Sequence, residues 1–77
     1  MPLQLTLEVE READGRFLAE VLELPGVLAH DATREGAIMR AEALALRTLA
    51  ERLEAGESVL SLADVFQIAD ASERETA

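Results

Sequence analysis

Three carboxylates in the N-terminal part of the chain are the residues best placed for metal chemistry. Glu8 and Glu10 alternate along one predicted strand and Glu20 lies on the next, so all three fall on one face of a sheet. Carboxylate oxygens are the ligands of a hard cation such as Mg²⁺, which could support nuclease chemistry. Charge that faces water explains the same residues more simply, and we predict no metal site.

The other reactive residue types are few and isolated. His30 is the only histidine, and although an imidazole can act as a general base, this one stands alone at the end of a predicted strand. A surface or packing role is the simpler interpretation. Ser58, Ser61 and Ser72 have no histidine near them in sequence, and no nucleophile elbow or phosphate-binding glycine loop is present. We predict that the protein is not an enzyme and has no catalytic residue or cofactor.

The charge balance restricts the class of partner. The 77 residues include 16 acidic side chains and 7 basic ones, all arginine, which gives a net charge of -9. Binding to DNA or RNA depends on basic residues that neutralise phosphates, so we predict no direct contact with nucleic acid. An acidic surface favours a basic protein partner, although acidity that serves only solubility explains the charge equally well.

Because the chain is small, its core alone gives little stability, and a further source of stability is expected. A domain of this length buries only about 60% of its unfolded surface. The sequence has no cysteine for a disulfide and, with one histidine, no Cys/His zinc site. Oligomerisation or a protein partner is the remaining means of stabilisation. No segment approaches the roughly 20 apolar residues that cross a bilayer, and no signal peptide is evident, so we expect a cytoplasmic protein with no membrane contact and no small-molecule substrate.

A three-stranded antiparallel meander positions the candidate residues. Residues 3–9 alternate apolar and polar side chains, which is typical of a half-buried strand. An Asp-Gly pair at 14–15 suits a hairpin turn, and residues 16–22 form the returning strand. A Pro-Gly pair at 25–26 suits a type II turn before a short third strand over 27–30.

A helix follows the meander. Thr33 stands at the N-cap position, with Glu35 in the first turn, where it complements the helix dipole. Gly36 occupies the position where a capping box has Glu or Gln. The helix is predicted to run to about Ala55 and to end at Gly56, which suits the left-handed C-terminal position.

The helix is apolar around more of its circumference than one sheet covers. The predicted sheet-facing residues are Ala37, Ile38, Ala41, Leu44, Ala45 and Leu49. A second set, named here the outer stripe, consists of Met39, Ala43, Leu46, Ala50 and Leu53. Its spacing of 4, 3, 4 and 3 residues is typical of a helix–helix seam. We therefore predict that the outer stripe forms a homo-oligomer, a dimer or a tetramer; a covering loop is the alternative.

The last predicted element is a fourth strand over 63–69, rich in β-forming residues. A strand that follows a helix joins the sheet in parallel through a right-handed crossover, here beside the first strand. The predicted fold is α+β, a two-layer β-β-β-α-β unit with sheet order 3-2-1-4. It forms one domain over 1–69, followed by a polar, flexible tail over 70–77.

The order of these motifs carries a family resemblance. The matching segments are Asp14-Gly15-Arg16-Phe17-Leu18-Ala19-Glu20-Val21, Leu24-Pro25-Gly26, Ala29, Thr33, Glu35, Ala37 and Glu54-Ala55-Gly56-Glu57. Together they resemble the HicB family of antitoxin-like proteins over roughly residues 3–69. The resemblance implies a partial ribonuclease-H-like fold without catalysis. It also implies a role in binding and neutralising HicA, a small basic toxin that cleaves mRNA.

The chain departs from the family pattern at several places. Val27 stands where the family usually has Cys, Asp31-Ala32-Thr33 replaces Gly-Asp-Thr, and Gly36 replaces a second acidic residue. Many members carry a DNA-binding domain after the fourth strand, and the 77 residues contain none, so we do not expect operator binding. The predicted contacts with a basic toxin are Glu8, Glu10, Glu12, Glu20 and Glu23. An orphan HicB-like structural or regulatory oligomer without a toxin is the alternative.

Overall fold

A computed structural model describes residues 4–57 together with residues 66 and 69. It contains strands β1 (Leu7–Arg11), β2 (Phe17–Val21) and β3 (Leu28–Asp31), followed by helix α1 (Arg34–Glu54). The strands form an antiparallel sheet in the order β1-β2-β3, and α1 packs on one face of it. The predicted meander, the helix and the α+β class are confirmed.

The predicted fourth strand over 63–69 lies outside the described residues, except at positions 66 and 69. Neither of these two residues is in a strand, and both are exposed. The observed order β1-β2-β3 matches the first three strands of the predicted 3-2-1-4 sheet. The predicted tail over 70–77 also lies outside the described residues.

The first strand begins later than predicted, at Leu7 rather than at residue 3. The amide of Thr6 donates to a carboxylate oxygen of Glu23 at 2.7 Å instead of to a neighbouring strand. The Thr6 carbonyl accepts from the Leu22 amide at 3.0 Å, just beyond the last strand pair. The Glu23 side chain therefore replaces one backbone acceptor of the ladder where the chain enters the sheet.

Two glycine-containing turns set the strand register. Gly15 has φ +90° and Gly26 has φ +89°, values that side chains of L-residues rarely tolerate. The Val27 amide donates to the Leu24 carbonyl at 3.0 Å, so Pro25 and Gly26 are the central residues of this turn. A positive φ at its third position is the requirement of the predicted type II turn.

The core lies between the sheet and one side of α1. Ala37, Ala41, Ala45 and Leu49 recur every four residues, and all four are buried. They pack against Ala19 and Val21 of β2 and against Leu24 and Val27 of the second turn. The three alanines, named here the alanine row, have short side chains that permit a close approach of the helix to the sheet. Ile38 and Leu44, also predicted to face the sheet, are half-buried.

A small hydrogen-bond network caps α1. The Thr33 hydroxyl accepts from the Gly36 amide at 3.0 Å and donates to Asp31 Oδ2 at 3.1 Å. Asp31 Oδ2 also accepts from the Thr33 amide at 3.0 Å. A Cβ at Gly36 would overlap the Asp31 carboxylate and lie 2.8 Å from Thr33 Oγ1. A side chain at position 36 would therefore require the Asp31 carboxylate to move, and glycine leaves it in place.

The other end of α1 closes as predicted. Gly56 has φ +81°, its amide donates to the Leu53 carbonyl, and the Glu57 amide donates to the Arg52 carbonyl. These two bonds form a Schellman motif, which satisfies carbonyls left open at a helix terminus. Within the described part of the chain, no helix has the length and apolar character needed to span a membrane.

Candidate functional site

The sheet face opposite α1, named here the open face, carries most of the predicted partner-binding carboxylates. The register aligns Glu8 of β1 with Glu20 of β2 and with Leu28 of β3. One step along, Glu10 lies beside Leu18 and His30. Because side chains alternate along a strand, these residues share the face that turns away from the buried Ala19 and Val21.

Glu8 and Glu20 are directly opposed across the β1–β2 ladder. Backbone bonds from Leu22 to Thr6 and from Glu12 to Arg16 fix the alternation, so Glu8 and Glu20 also form a hydrogen-bonded pair. In such a pair the Cα atoms lie about 5.5 Å apart and the two side chains project together. Like charges in this position destabilise a sheet. Among the described residues, no hydrogen bond or ion pair neutralises either carboxylate.

His30 has a carboxylate partner on the open face. Its Nε2 lies 3.2 Å from Glu12 Oε1, and both side chains are partly exposed. Glu12 precedes the first turn, whereas His30 comes from β3, so the contact reaches across β2. The sequence offered no signal for this pair, because it depends on the register of two successive hairpins.

Glu23 is a predicted contact residue that serves a structural role. Its carboxylate accepts from the Thr6 amide and from the Thr6 hydroxyl, each at 2.7 Å. The backbone amide, followed by the hydroxyl, lowers the pKa of Glu23 below its ordinary value of 4.5. Glu23 therefore fixes the entry to β1. Of the predicted five, Glu8, Glu10 and Glu20 carry the unpaired charge of the open face among the described residues.

The described residues contain no cluster of ligands that supports the metal hypothesis. Within 4–57, no group of three histidine, aspartate or glutamate side chains is placed to hold a metal ion. Glu8 and Glu20 face each other across the β1–β2 ladder, whereas Glu10 lies two residues further along β1 and faces Leu18.

The outer stripe is exposed along its whole length. Met39 and Leu46 are 68% and 67% exposed, Leu53 is 50% exposed, and the two alanines between them are exposed as well. Leu46 also borders an apolar groove of about 360 Å³ between α1 and β1, which Leu5 and Leu7 line. The apolar surface therefore continues from the helix to the outer edge of β1.

A second groove runs between β3 and α1, and sequence reasoning missed it. This groove, named here the β3 groove, has a volume of about 510 Å³. Its lining residues are Arg16, Leu28, Ala29, His30, Arg40, Ala43, Leu44 and Arg47. The available signal was the spacing of Arg40 and Arg47, which lie seven residues apart on one side of the helix.

Comparisons with protein-family models, with curated proteins and with solved structures give no match to this chain.

Proposed function

We propose that this protein is a non-catalytic binding module of the HicB type that binds and neutralises a small basic, mRNA-cleaving toxin of the HicA type. The observation that carries the proposal is the opposed pair Glu8 and Glu20 on the open face. A like-charged pair costs the free protein stability, and a cationic side chain placed between the two carboxylates removes that cost. The open face is therefore better suited to a complex than to the isolated chain.

The open face also matches the toxin in its chemistry. Glu8 and Glu10 lie about 7 Å apart along β1, and β2 lies about 5 Å away, so one surface receives several cationic groups. Leu18 and Leu28 lie among the carboxylates and add apolar contact area. A toxin that cleaves RNA uses basic residues to hold phosphates, and an acidic cover on those residues blocks the substrate. The net charge of -9 accelerates the encounter.

The proposal includes a further strand parallel to β1 at its outer edge, which gives the sheet order 3-2-1-4. Two observations support it. The backbone groups of Leu7, Val9 and Arg11 point to the outer edge of β1, since Glu8 and Glu10 pair with β2. The apolar groove between α1 and β1 adjoins that edge, and an added strand would cover it.

A second candidate function is that of an orphan HicB-like structural or regulatory subunit, which forms homo-oligomers and has no toxin. The outer stripe favours it, because Met39, Leu46 and Leu53 are exposed at helix–helix spacing. Substitution Leu46→Glu tests this candidate: it should reduce the assembly to a monomer in light scattering. A mass that stays the same would exclude the outer stripe as the contact.

The leading proposal predicts that a neighbouring reading frame encodes a small basic protein, and co-expression of the two chains tests it. The two proteins should co-purify, and this chain should restore growth in cells that express the neighbour. The charge reversal Glu8→Lys with Glu20→Lys should abolish both effects. Glu51→Lys with Glu54→Lys is the matched control, since these exposed residues lie on α1 away from the open face.

The possible outcomes test two claims separately: the antitoxin function, and the assignment of the toxin site to the open face. Absence of a complex and of growth rescue with the unaltered chain would exclude the antitoxin function. Rescue that survives the reversal of Glu8 and Glu20 would exclude the open face as the toxin site. Circular dichroism of both double variants establishes that a loss of rescue is not a loss of folding.

A further inference from the structure

The β3 groove concentrates positive charge in an acidic chain. It is lined by Arg16, Arg40 and Arg47, three of the seven basic residues in the sequence, together with His30. Among the residues that line it, none is acidic. Three arginines on the walls of one groove favour an anionic ligand there although the chain is acidic, because a charged ligand responds to the charges close to it.

The arginines of α1 are spaced along the groove. Arg40 and Arg47 are seven residues apart, which places them on the same side of the helix about 10 Å from each other. Arg40 Nη1 lies 3.5 Å from Asp31 Oδ1, yet its side chain is 68% exposed. A surface pair of this length holds the guanidinium weakly, so Arg40 is available to a second carboxylate.

The backbone of β3 forms the opposite wall of the groove. The Val21 amide donates to the Val27 carbonyl at 2.9 Å. Because pairing alternates along an antiparallel ladder, Ala29 and Asp31 then bond to β2, and the N–H and C=O groups of Leu28 and His30 point outward. Within residues 4–57, no strand pairs with this outer edge. Such an edge is a template for an added strand.

We propose that the β3 groove binds an extended acidic peptide segment of a partner protein, which adds to the outer edge of β3 as a strand. The peptide backbone pairs with Leu28 and His30. Side chains at alternate positions turn towards α1, and those at i and i+4 lie about 13 Å apart, within reach of Arg40 and Arg47. Ala43 and Leu44 supply the apolar surface between the arginines.

Two other occupants fit the groove less well. A nucleic acid offers phosphates to the arginines but no N–H and C=O ladder for the strand edge, and the net charge of -9 repels it. A second copy that paired through its own β3 would bring the two sets of Arg40 and Arg47 together, and like charges oppose that contact. An acidic peptide can pair its backbone with the outer edge of β3 and its carboxylates with Arg40 and Arg47 of α1. It also leaves the open face to a basic partner, so this inference does not depend on the proposed toxin.

Fluorescence anisotropy with a labelled peptide that alternates glutamate and valine tests the proposal. The full chain should bind it, and a peptide that alternates glutamine and valine, which lacks the negative charge, should bind at least about tenfold more weakly. The same glutamate peptide, N-methylated at every second residue, keeps its charge but loses the hydrogen bonds of one edge. We expect it to bind at least about tenfold more weakly. Amide chemical shifts of Leu28 and His30 should move on addition of the unmodified peptide.

Matched charge reversals locate the site. Arg47→Glu should weaken binding of the glutamate peptide by about tenfold or more, since it replaces attraction with repulsion. Arg34→Glu makes the same change in net charge at an exposed position outside the groove and should leave binding within about twofold.

Three results would overturn the proposal. The first is an equal effect of Arg47→Glu and Arg34→Glu. The second is binding that N-methylation does not change, which would indicate a general anion site. The third is tighter binding of a single-stranded oligonucleotide of similar length and charge, which would assign the groove to nucleic acid.

Discussion

The open face and the β3 groove lie on either side of one short strand and carry opposite charge. His30 belongs to both: its side chain pairs with Glu12 on the open face, and it also lines the groove. The carboxylates come from β1 and β2, whereas two of the groove arginines come from α1. The separation of charge therefore follows from which element borders which side of the sheet. The net charge of -9 agrees in sign with the open face but gives no indication of the arginines in the groove.

Both surfaces depend on the packing of α1 on the sheet, and the largest effect is expected there. Ala41 is fully buried in the alanine row, so Ala41→Asp places an unpaired carboxylate in the core. We expect a loss of more than about 3 kcal/mol in the free energy of unfolding, enough to unfold so small a domain. Urea denaturation followed by circular dichroism measures it. Ala43→Asp, on the exposed side of the helix, is the control and should cost no more than about 1 kcal/mol, which is the difference in helix propensity.

A smaller effect is expected at the cap that joins β3 to α1. Gly36→Ala forces the new Cβ against the Asp31 carboxylate and so breaks the hydrogen bonds around Thr33. We expect a loss of about 1 kcal/mol, typical of an N-cap. Thr33→Ala should cost a similar amount. Because the two substitutions disrupt one network, the double variant should lose clearly less than the sum of the single losses. Full additivity would contradict the described cap.

The open face should respond to removal of one charge. Glu20→Gln relieves the repulsion with Glu8, and we expect a gain of about 0.5 kcal/mol in the free energy of unfolding at low salt. The gain should shrink as added salt screens the pair. Glu51→Gln, on the exposed helix surface, is the matched control and should show little gain. A loss of stability in Glu20→Gln would contradict a repulsive pair and would remove the main support for a basic partner.

The smallest effect concerns the two hydrogen bonds from Thr6 to the Glu23 carboxylate, named here the clamp, beside the open face. The hydrogen bonds from Thr6 hold the pKa of Glu23 below 4.5 in the folded protein. A carboxylate whose pKa falls on folding stabilises the protein above its unfolded pKa, and this contribution is lost as the pH falls through the folded pKa. The melting temperature of the unaltered chain should therefore exceed that of Glu23→Gln near neutral pH. The difference should diminish below about pH 4.5, and a constant difference would contradict the clamp.

The pKa of Asp31, which lies beside the β3 groove, is also lowered in the folded protein. The backbone amide of Thr33, then its hydroxyl, lowers the pKa of Asp31 below 3.8, with a smaller contribution from Arg40. Asp31 therefore keeps its hydrogen bonds to Thr33, and the cap is retained, at a pH where an ordinary aspartate begins to protonate. The Glu23 and Asp31 carboxylates thus each accept hydrogen bonds from the amide and the hydroxyl of one threonine, Thr6 and Thr33 respectively.

Much of the fold was accessible from local patterns. Alternation in 3–9, glycines at 15 and 26, and the threonine before the helix predicted three strands, two turns and a capped helix. These features depend on neighbours within a few residues, because side-chain period and backbone φ are local properties. The start of β1 was placed too early, because the bond between Thr6 and Glu23 joins residues 17 positions apart.

The surfaces required the tertiary structure. Composition and alternation indicated that acidic residues would share a sheet face, and that apolar residues would cover two sides of the helix. Only the register set Glu8 against Glu20 and brought His30 to Glu12. Only the docking of α1 along its alanine row turned Arg40 and Arg47 towards β3. The sequence by itself determined which side chains point together along each element. The partners of those side chains come from distant parts of the chain, so packing decided the opposed charges and the groove.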